Sequence, residues 1–255
     1  MSRGPDGVST EEKGNPMSDT LYVVMPAYNE SAALPRVIEE WQPVVEQHPD
    51  NRLVVVNDGS TDETASVLER YSEACPQLVR IDKPNGGHGT ALRAGYRYAL
   101  SGISGHVPTF VFQTDSDGQT KASEFPAFWK RRHDHDAIIG HRCNRGDGAT
   151  RAIVTRALRA IVRACTHVRL PDVNTPFRLM KTSALGAAMA AIPDKHNLVN
   201  AELSIALARL GKSVAFHPIS FGKRKTGENS INLRSITSMG LSSIADFREL
   251  NAILP

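Results

Sequence analysis

A series of short apolar runs, each stopped by polar or turn-forming residues, constrains this chain more than any other feature. Leu21–Met25 ends at Pro26, and Arg52–Val56 ends at Asn57-Asp58-Gly59. Leu78–Ile81 is a weaker run, followed by Thr109–Phe112 and Ala137–Ile139. Near-continuous β-branched runs mark strands buried on both faces, the habit of parallel sheets. Helical patterns fill the gaps. Ala32–Gln47 carries Leu34, Val37, Ile38, Trp41, Val44 and Val45 on one side, with Pro35 in the first turn and Pro43 placed to kink or end the helix. Ser60-Thr61-Asp62-Glu63 reads as a capping box for the next helix, and Thr90–Leu100 forms a third. The β-α-β-α order predicts a single α/β domain with a doubly wound, mostly parallel sheet flanked by helices.

The second half is less regular. An Arg-rich helix is predicted over Ala149–Cys165, a strand over Phe177–Lys181, and helices over Thr182–Ala191 and Val199–Leu210. A strand over Val214–Phe221, a basic loop and an amphipathic helix from Leu233 to Leu250 follow. No Gly/Ser/Pro linker separates the halves. The expected organisation is a polar, disordered leader over 1–19, one domain over 20–232, and a terminal helix over 233–255 on or beside it. The leader has no apolar h-region, and no run of 18 apolar residues occurs anywhere. Three widely spaced cysteines, Cys75, Cys143 and Cys165, lack zinc-like pairing and read as reduced thiols of a cytoplasmic protein. A net charge of +3 does not point to nucleic acid, which is not expected as a partner; arginines crowd instead between Arg142 and Arg178, beside a Lys223-Arg224-Lys225 cluster.

In an open parallel sheet, ligands bind at the carboxyl ends of the strands. Here those ends carry Pro26-Ala27-Tyr28-Asn29-Glu30, Asn57-Asp58-Gly59-Ser60, Asn85-Gly86-Gly87-His88-Gly89 and Asp115-Ser116-Asp117-Gly118-Gln119. They should converge on one crevice. Asp115 and Asp117 point the same way if the strand continues, and a turn at Gly118 brings Gln119 beside them. Clustered carboxylates are costly to ionise together without a cation, and an all-oxygen site suits Mg2+ or Mn2+ shared with a diphosphate. Tyr28 can stack on a base; Glu30 and Asp58 can accept hydrogen bonds from base or ribose. Gly86 and Gly87, ahead of a helix, can offer N–H groups to an anion. A Walker loop is absent, and the first strand's turn lacks Gly-x-Gly-x-x-Gly, which argues against kinases, GTPases and dehydrogenases. His88 and His141 are candidates to touch ligand; no histidine spacing suggests zinc.

With these motifs in this order, the chain resembles family 2 glycosyltransferases of GT-A fold, and within them the dolichol- or polyprenyl-phosphate mannose synthase-like branch. The resemblance runs from about Leu21 to Ser230. It implies a nucleotide-diphosphate-sugar donor, a divalent metal and inversion at the anomeric carbon. By resemblance, Pro26, Tyr28, Glu30 and Asp58 contact the nucleoside. Asp115 meets the ribose and sugar side and, with Asp117 and Gln119, the metal. Arg142, Arg151 and Arg224 hold phosphates. The implied acceptor is a polyprenyl phosphate or a small glycosyl group, which leaves peripheral membrane contact open.

Two departures stand out. Arg224-Lys225-Thr226-Gly227-Glu228-Asn229-Ser230 is one residue longer before its serine than the branch's Arg-x-x-Gly-x-Ser. No Glu-Asp pair follows the metal motif to supply a base; Asp172 and Glu202 are the nearest candidates. A phosphate acceptor, already ionised, needs little base catalysis. Competing readings are a sugar-1-phosphate nucleotidyltransferase, whose Gly-rich basic loop after the first strand is missing, and a nucleotide-sugar-binding regulatory protein without activity.

Overall fold

The structure is a computed structural model that describes residues 19–102, 109–145, 149–222 and 233–255. In chain order the strands are β1 (Leu21–Ala27), β2 (Arg52–Asp58), β3 (Leu78–Lys83), β4 (Phe110–Gln113), β5 (Ala137–Arg145), β6 (Arg178–Lys181) and β7 (Val214–Phe221). The helices are α1 (Leu34–Val45), α2 (Thr64–Ala74), α3 (His88–Ser101), α4 (Phe125–Trp129), α5 (Ala149–Thr166), α6 (Thr182–Ala191), α7 (Val199–Arg209) and α8 (Leu233–Ile253). One seven-stranded sheet runs in the order β3-β2-β1-β4-β6-β5-β7. The pairs β1–β2, β1–β4, β2–β3 and β5–β7 are parallel, and β6 lies antiparallel between β4 and β5. The carboxyl ends of β1–β5 and β7 therefore share one edge.

Strand periodicity divides the core. Leu21, Val23 and Met25 of β1, Leu53 and Val55 of β2, and Phe110 and Phe112 of β4 face one layer with α1 and α4. Tyr22, Val24, Val54, Val56 and Val111 face the other, which takes α3, α6, α7 and α8. The first layer is aromatic: Phe112 sits 4.6 Å from Phe177, ring centroid to centroid, and 5.1 Å from Trp41. In the second, α3 lies tight on the sheet because Gly95 has no Cβ to strike Val24 and Val56. This double burial is the physical content of the β-branched runs.

Local expectations needed adjustment in three places. Pro43 lies inside α1, two residues before the helix stops at Val45. The capping box over Ser60–Glu63 does not form. Asp62 instead accepts the Thr64 amide at 3.0 Å, while Ser60 is spent on the Asn29 amide at 3.0 Å. Asp19, assigned to the leader, belongs to the folded body: it is buried and paired with Arg132 at 2.6 Å and His133 at 2.7 Å. Residues 1–18 lie outside the described residues. No described helix is long and apolar enough to cross a membrane.

Candidate active site

The four polar clusters do converge, and hydrogen bonds show how. Asn29 adopts a left-handed backbone (φ 54°), which turns its side chain to accept the Thr61 amide at 2.8 Å. Its own amide donates to Ser60, so the loops after β1 and β2 are stitched together. Glu30 is buried and its amide donates to Thr64 Oγ1 at 2.9 Å. The strand does not continue through the aspartates: β4 ends at Gln113, and in the bend beyond it Ser116 donates to the Pro26 carbonyl at 2.8 Å. The aspartate turn is thereby pinned to the end of β1. Tyr28, 42% exposed in a protein whose other large apolar side chains are mostly covered, lies open for stacking.

Asp58 is nearly inaccessible. Its carboxylate accepts the amides of Gly86 at 3.1 Å and Gly87 at 2.8 Å, and also pairs with Lys83. The expectation that these glycine amides face a ligand anion is therefore corrected: an internal carboxylate takes them. Asp58 shapes the loop that opens α3, and that loop carries His88 to the aspartates. His88 Nε2 lies 3.2 Å from Asp115 Oδ1. Burial alone would lower the histidine's pKa, but the hydrogen bond and charge of Asp115, with Asp117 and Asp58 beyond, raise it above the ordinary value.

Asp115 keeps about a quarter of its side chain exposed, against 3% for Asp58. Asp117 Oδ1 accepts the Gln119 amide at 2.9 Å, which closes the turn. Gln119 is buried. Its Nε2 donates to the Gly222 carbonyl at 2.8 Å, and the Gly222 amide donates back to the Gln119 carbonyl at 2.8 Å. With the amide nitrogen engaged, metal ligation by Gln119 would use its oxygen. Among the described residues no group of three or more His, Cys, Asp or Glu side chains is placed to hold a metal ion. The oxygen donors of Asp115, Asp117 and Gln119 suit a hard divalent cation that draws its remaining ligands from a bound diphosphate and water.

Comparison with known proteins decides the family. Residues 22–186, well over half of the chain, match the family model described as glycosyl transferase family 2. The chain belongs to glycosyl transferase family 2. This glycosyltransferase is similar to a dolichyl-phosphate beta-glucosyltransferase of Trichomonas vaginalis, 38% identical over 109 residues that make up 40% of this chain and 31% of that protein. A second such protein from the same organism is 24% identical over 256 residues, 93% of this chain and 76% of its own length. An undecaprenyl-phosphate mannosyltransferase of Micrococcus luteus is 25% identical over 219 residues, 83% of this chain and 87% of that one. Among solved structures, glucosyl-3-phosphoglycerate synthase from Mycobacterium tuberculosis, in complex with Mn2+, UDP and glucosyl-3-phosphoglycerate, superposes with a TM-score of 0.69 at 20% identity. That match covers 93% of this chain and 81% of the other, and it establishes the shared GT-A fold.

The basic half of this glycosyltransferase is arranged differently from the sequence expectation. Arg142 is not a free phosphate clamp: its Nε and Nη2 each donate to Asp172 at 2.8 Å, and it lies over the Phe221 ring at 5.1 Å. Burial would raise the Asp172 pKa, but Arg142, Thr175 and the Asn174 amide together hold it below the usual carboxylate range. Asp172 is thus a fixed anion rather than a base. Glu202, the other candidate base, is fully buried beside Arg93 and His196, away from the aspartate turn. Arg151 lies on α5 with its side chain outside the described residues, and so does all of Arg224.

Two participants escaped the sequence reading. Arg178 is completely buried and donates to the Thr175 carbonyl at 2.6 Å and the Asn200 carbonyl at 3.0 Å, tying β6 to α7. The sequence marked it only as the end of the Arg142–Arg178 arginine-rich stretch, without a sign of its burial. Gly222, which anchors the aspartate turn to the end of β7, carries no signal in one dimension because its role is purely backbone.

Proposed function

We propose that this glycosyltransferase moves a sugar from a UDP- or GDP-sugar to a polyprenyl phosphate, or to a small glycosyl acceptor, with inversion and with Mg2+ or Mn2+. The observation that carries the reading is the aspartate pair, partly exposed at the carboxyl end of β4 and tied to β1, α3 and β7. The mannosyl- and glucosyltransferases above act, by their names, on undecaprenyl and dolichyl phosphates. The M. tuberculosis synthase was crystallised with Mn2+ and UDP-glucose. Both support the assignment.

Each residue's role follows from its place. Tyr28 stacks on the base, while Pro26 and Glu30 line its edge. Asp58 acts through the loop it clamps at Gly86 and Gly87. Asp115 and Asp117, with the Gln119 oxygen, would hold the metal, which when bound neutralises charge on the departing diphosphate. An acceptor oxygen attacks the anomeric carbon in line as the bond to the diphosphate breaks, and the electron pair leaves with the diphosphate. Arg151 and Arg224 supply cationic contacts to phosphate, as does the Nη1 side of Arg142, which has no hydrogen-bond partner among the described residues while Nε and Nη2 are held by Asp172. The pairing of Asp172 and the seclusion of Glu202 favour an acceptor that is already ionised.

The test is binding and hydrolysis of UDP- and GDP-sugars by the full chain, with Mn2+, with Mg2+ and with EDTA, beside Asp117→Ala. Metal-dependent binding of one donor, lost in the variant, is expected and identifies the base. Failure of every nucleotide sugar to bind would overturn the reading.

A further inference from the structure

The long helix α5 has an unusual division of charge. From Ala149 to Thr166 it contains no acidic residue. Its inward side packs Leu158, Ile161, Val162 and Cys165 into the second core layer. On the outward side, Arg156, Arg159 and Arg163 are all exposed, as are Ala157, Ala160 and Ala164 between them. Spacings of three and four place these arginines in one stripe along the helix. His167, just past the helix end, and Arg169 continue it and are also exposed. Among the described residues no carboxylate pairs with any of the three helical arginines. Several cations elsewhere do have carboxylate partners, among them Arg80, Arg97, Arg132, Arg142 and Lys181; what distinguishes α5 is three exposed arginines in one stripe on a helix without an acidic residue.

Ordinary solvated helix faces alternate the two signs, which limits self-repulsion and adds i,i+4 support. Here, among the described residues, no carboxylate offsets the repulsion between neighbouring guanidinium groups, and the intervening alanine side chains are too small to shield them. A flat array of unshielded cations is complementary to an extended anionic surface. Its location matters too. β5 runs parallel to β4 and β1, so its end lies at the crevice edge, and α5 begins at Ala149, four residues beyond Arg145. Arg156 follows about 10 Å along the helix at 1.5 Å per residue.

We propose that the outward face of α5, built from Arg156, Arg159 and Arg163, docks the protein on an anionic phospholipid surface beside the mouth of its active site. Attraction of this kind is electrostatic, lies within a Debye length of the membrane and needs no inserted helix. The proposal deepens the polyprenyl-phosphate reading, since a lipid acceptor must be met at a membrane; the charge argument itself does not depend on the reaction.

The experiment is sedimentation of the full chain, without donor or metal, with phosphatidylcholine vesicles and with vesicles containing phosphatidylglycerol. Binding to the anionic vesicles alone is expected, weakening steeply with added salt. The triple variant Arg156→Glu, Arg159→Glu, Arg163→Glu should lose about a hundredfold or more in affinity. A charge-matched control, Arg70→Glu, Lys121→Glu, Lys130→Glu, changes exposed residues elsewhere on the surface and should bind almost as the parent does. Circular dichroism and donor binding of both variants report folding. Equal loss in the control, no loss in the α5 variant, or equal binding to neutral vesicles would each overturn the proposal. So would a preference for duplex or single-stranded nucleic acid over anionic vesicles. Donor binding separates this outcome from failure of the glycosyltransferase mechanism: a protein that binds its donor normally but ignores vesicles refutes the docking surface alone.

Discussion

Two clusters of acidic side chains in this molecule look alike in composition and differ in everything else. Asp115 and Asp117 sit at the open edge of the sheet, with one histidine at hydrogen-bond distance. Glu202, with Asp246 and Glu249 of α8, surrounds the buried ring of His196 at 3.4 to 3.7 Å. Arg93, also buried, faces Glu202 at 3.8 Å, and neither Glu202 oxygen has a hydrogen-bond partner. Burial pushes the Glu202 pKa up to about 8, and Arg93 only partly counters it. The difference teaches that clustered carboxylates mark a candidate site only where a ligand can reach them. The first cluster is open to solvent and so to the metal proposed above, whereas the second is closed around Arg93 and His196.

The largest effect should come from the open cluster. Asp117→Ala is expected to cut turnover by about a thousandfold while leaving the thermal unfolding midpoint nearly unchanged, as paired kinetics and calorimetry would show. The closed cluster should behave oppositely. Glu202→Ala removes the buried carboxyl group that faces Arg93 and His196, leaving Arg93 with Asp194 alone among the described residues, at 3.6 Å, and is expected to cost about 1–3 kcal/mol of stability. The double variant Arg93→Met, Glu202→Leu should recover most of that in denaturant titrations. Equal damage to donor binding from both single changes, Asp117→Ala and Glu202→Ala, would erase the distinction.

A subtler probe lies between the clusters. Gly89 of α3 packs so closely on the loop before α7 that a Cβ would sit 2.5 Å from the Asn197 carbonyl. Gly89→Ala should therefore cost about 1–3 kcal/mol and shift His88 relative to Asp115, seen as a weaker metal response. A matching change at Gly186, where the nearest atom is 3.7 Å away, should instead stabilise α6 by about 0.5–1 kcal/mol.

The closed cluster should also respond to pH. Native Glu202 keeps its proton to about pH 8, whereas the unfolded chain releases it near 4.3. Between those values the native state binds more protons, so this residue's contribution to stability falls as pH rises through the window and levels off above it. Glu202→Gln should flatten that part of the stability profile. An unchanged profile would mean Glu202 is ionised against Arg93.

Much of this was legible in one dimension for a definite reason. Strands buried on both faces must be continuously apolar, and their ends must turn polar where the sheet meets solvent. Leu21–Met25, Arg52–Val56 and Thr109–Phe112 obey that rule, and the crevice follows from it. The basic half was less legible because an arginine's partner is set by packing. Arg142 and Asp172 are thirty residues apart, and nothing local indicates that they neutralise each other. The same applies to Asp58, read as a ligand contact but occupied by amides from a loop that folds back twenty-eight residues later.

By itself, the sequence determined the α/β class, the parallel core and the edge on which chemistry could gather, because those depend on periodicity and local turn chemistry. The tertiary structure alone decided which charges are spent and which remain available. Hydrogen bonds act over about 3 Å, and only folding brings Gly222 to Gln119, Glu202 to Arg93 and His88 to Asp115 within that reach or close to it.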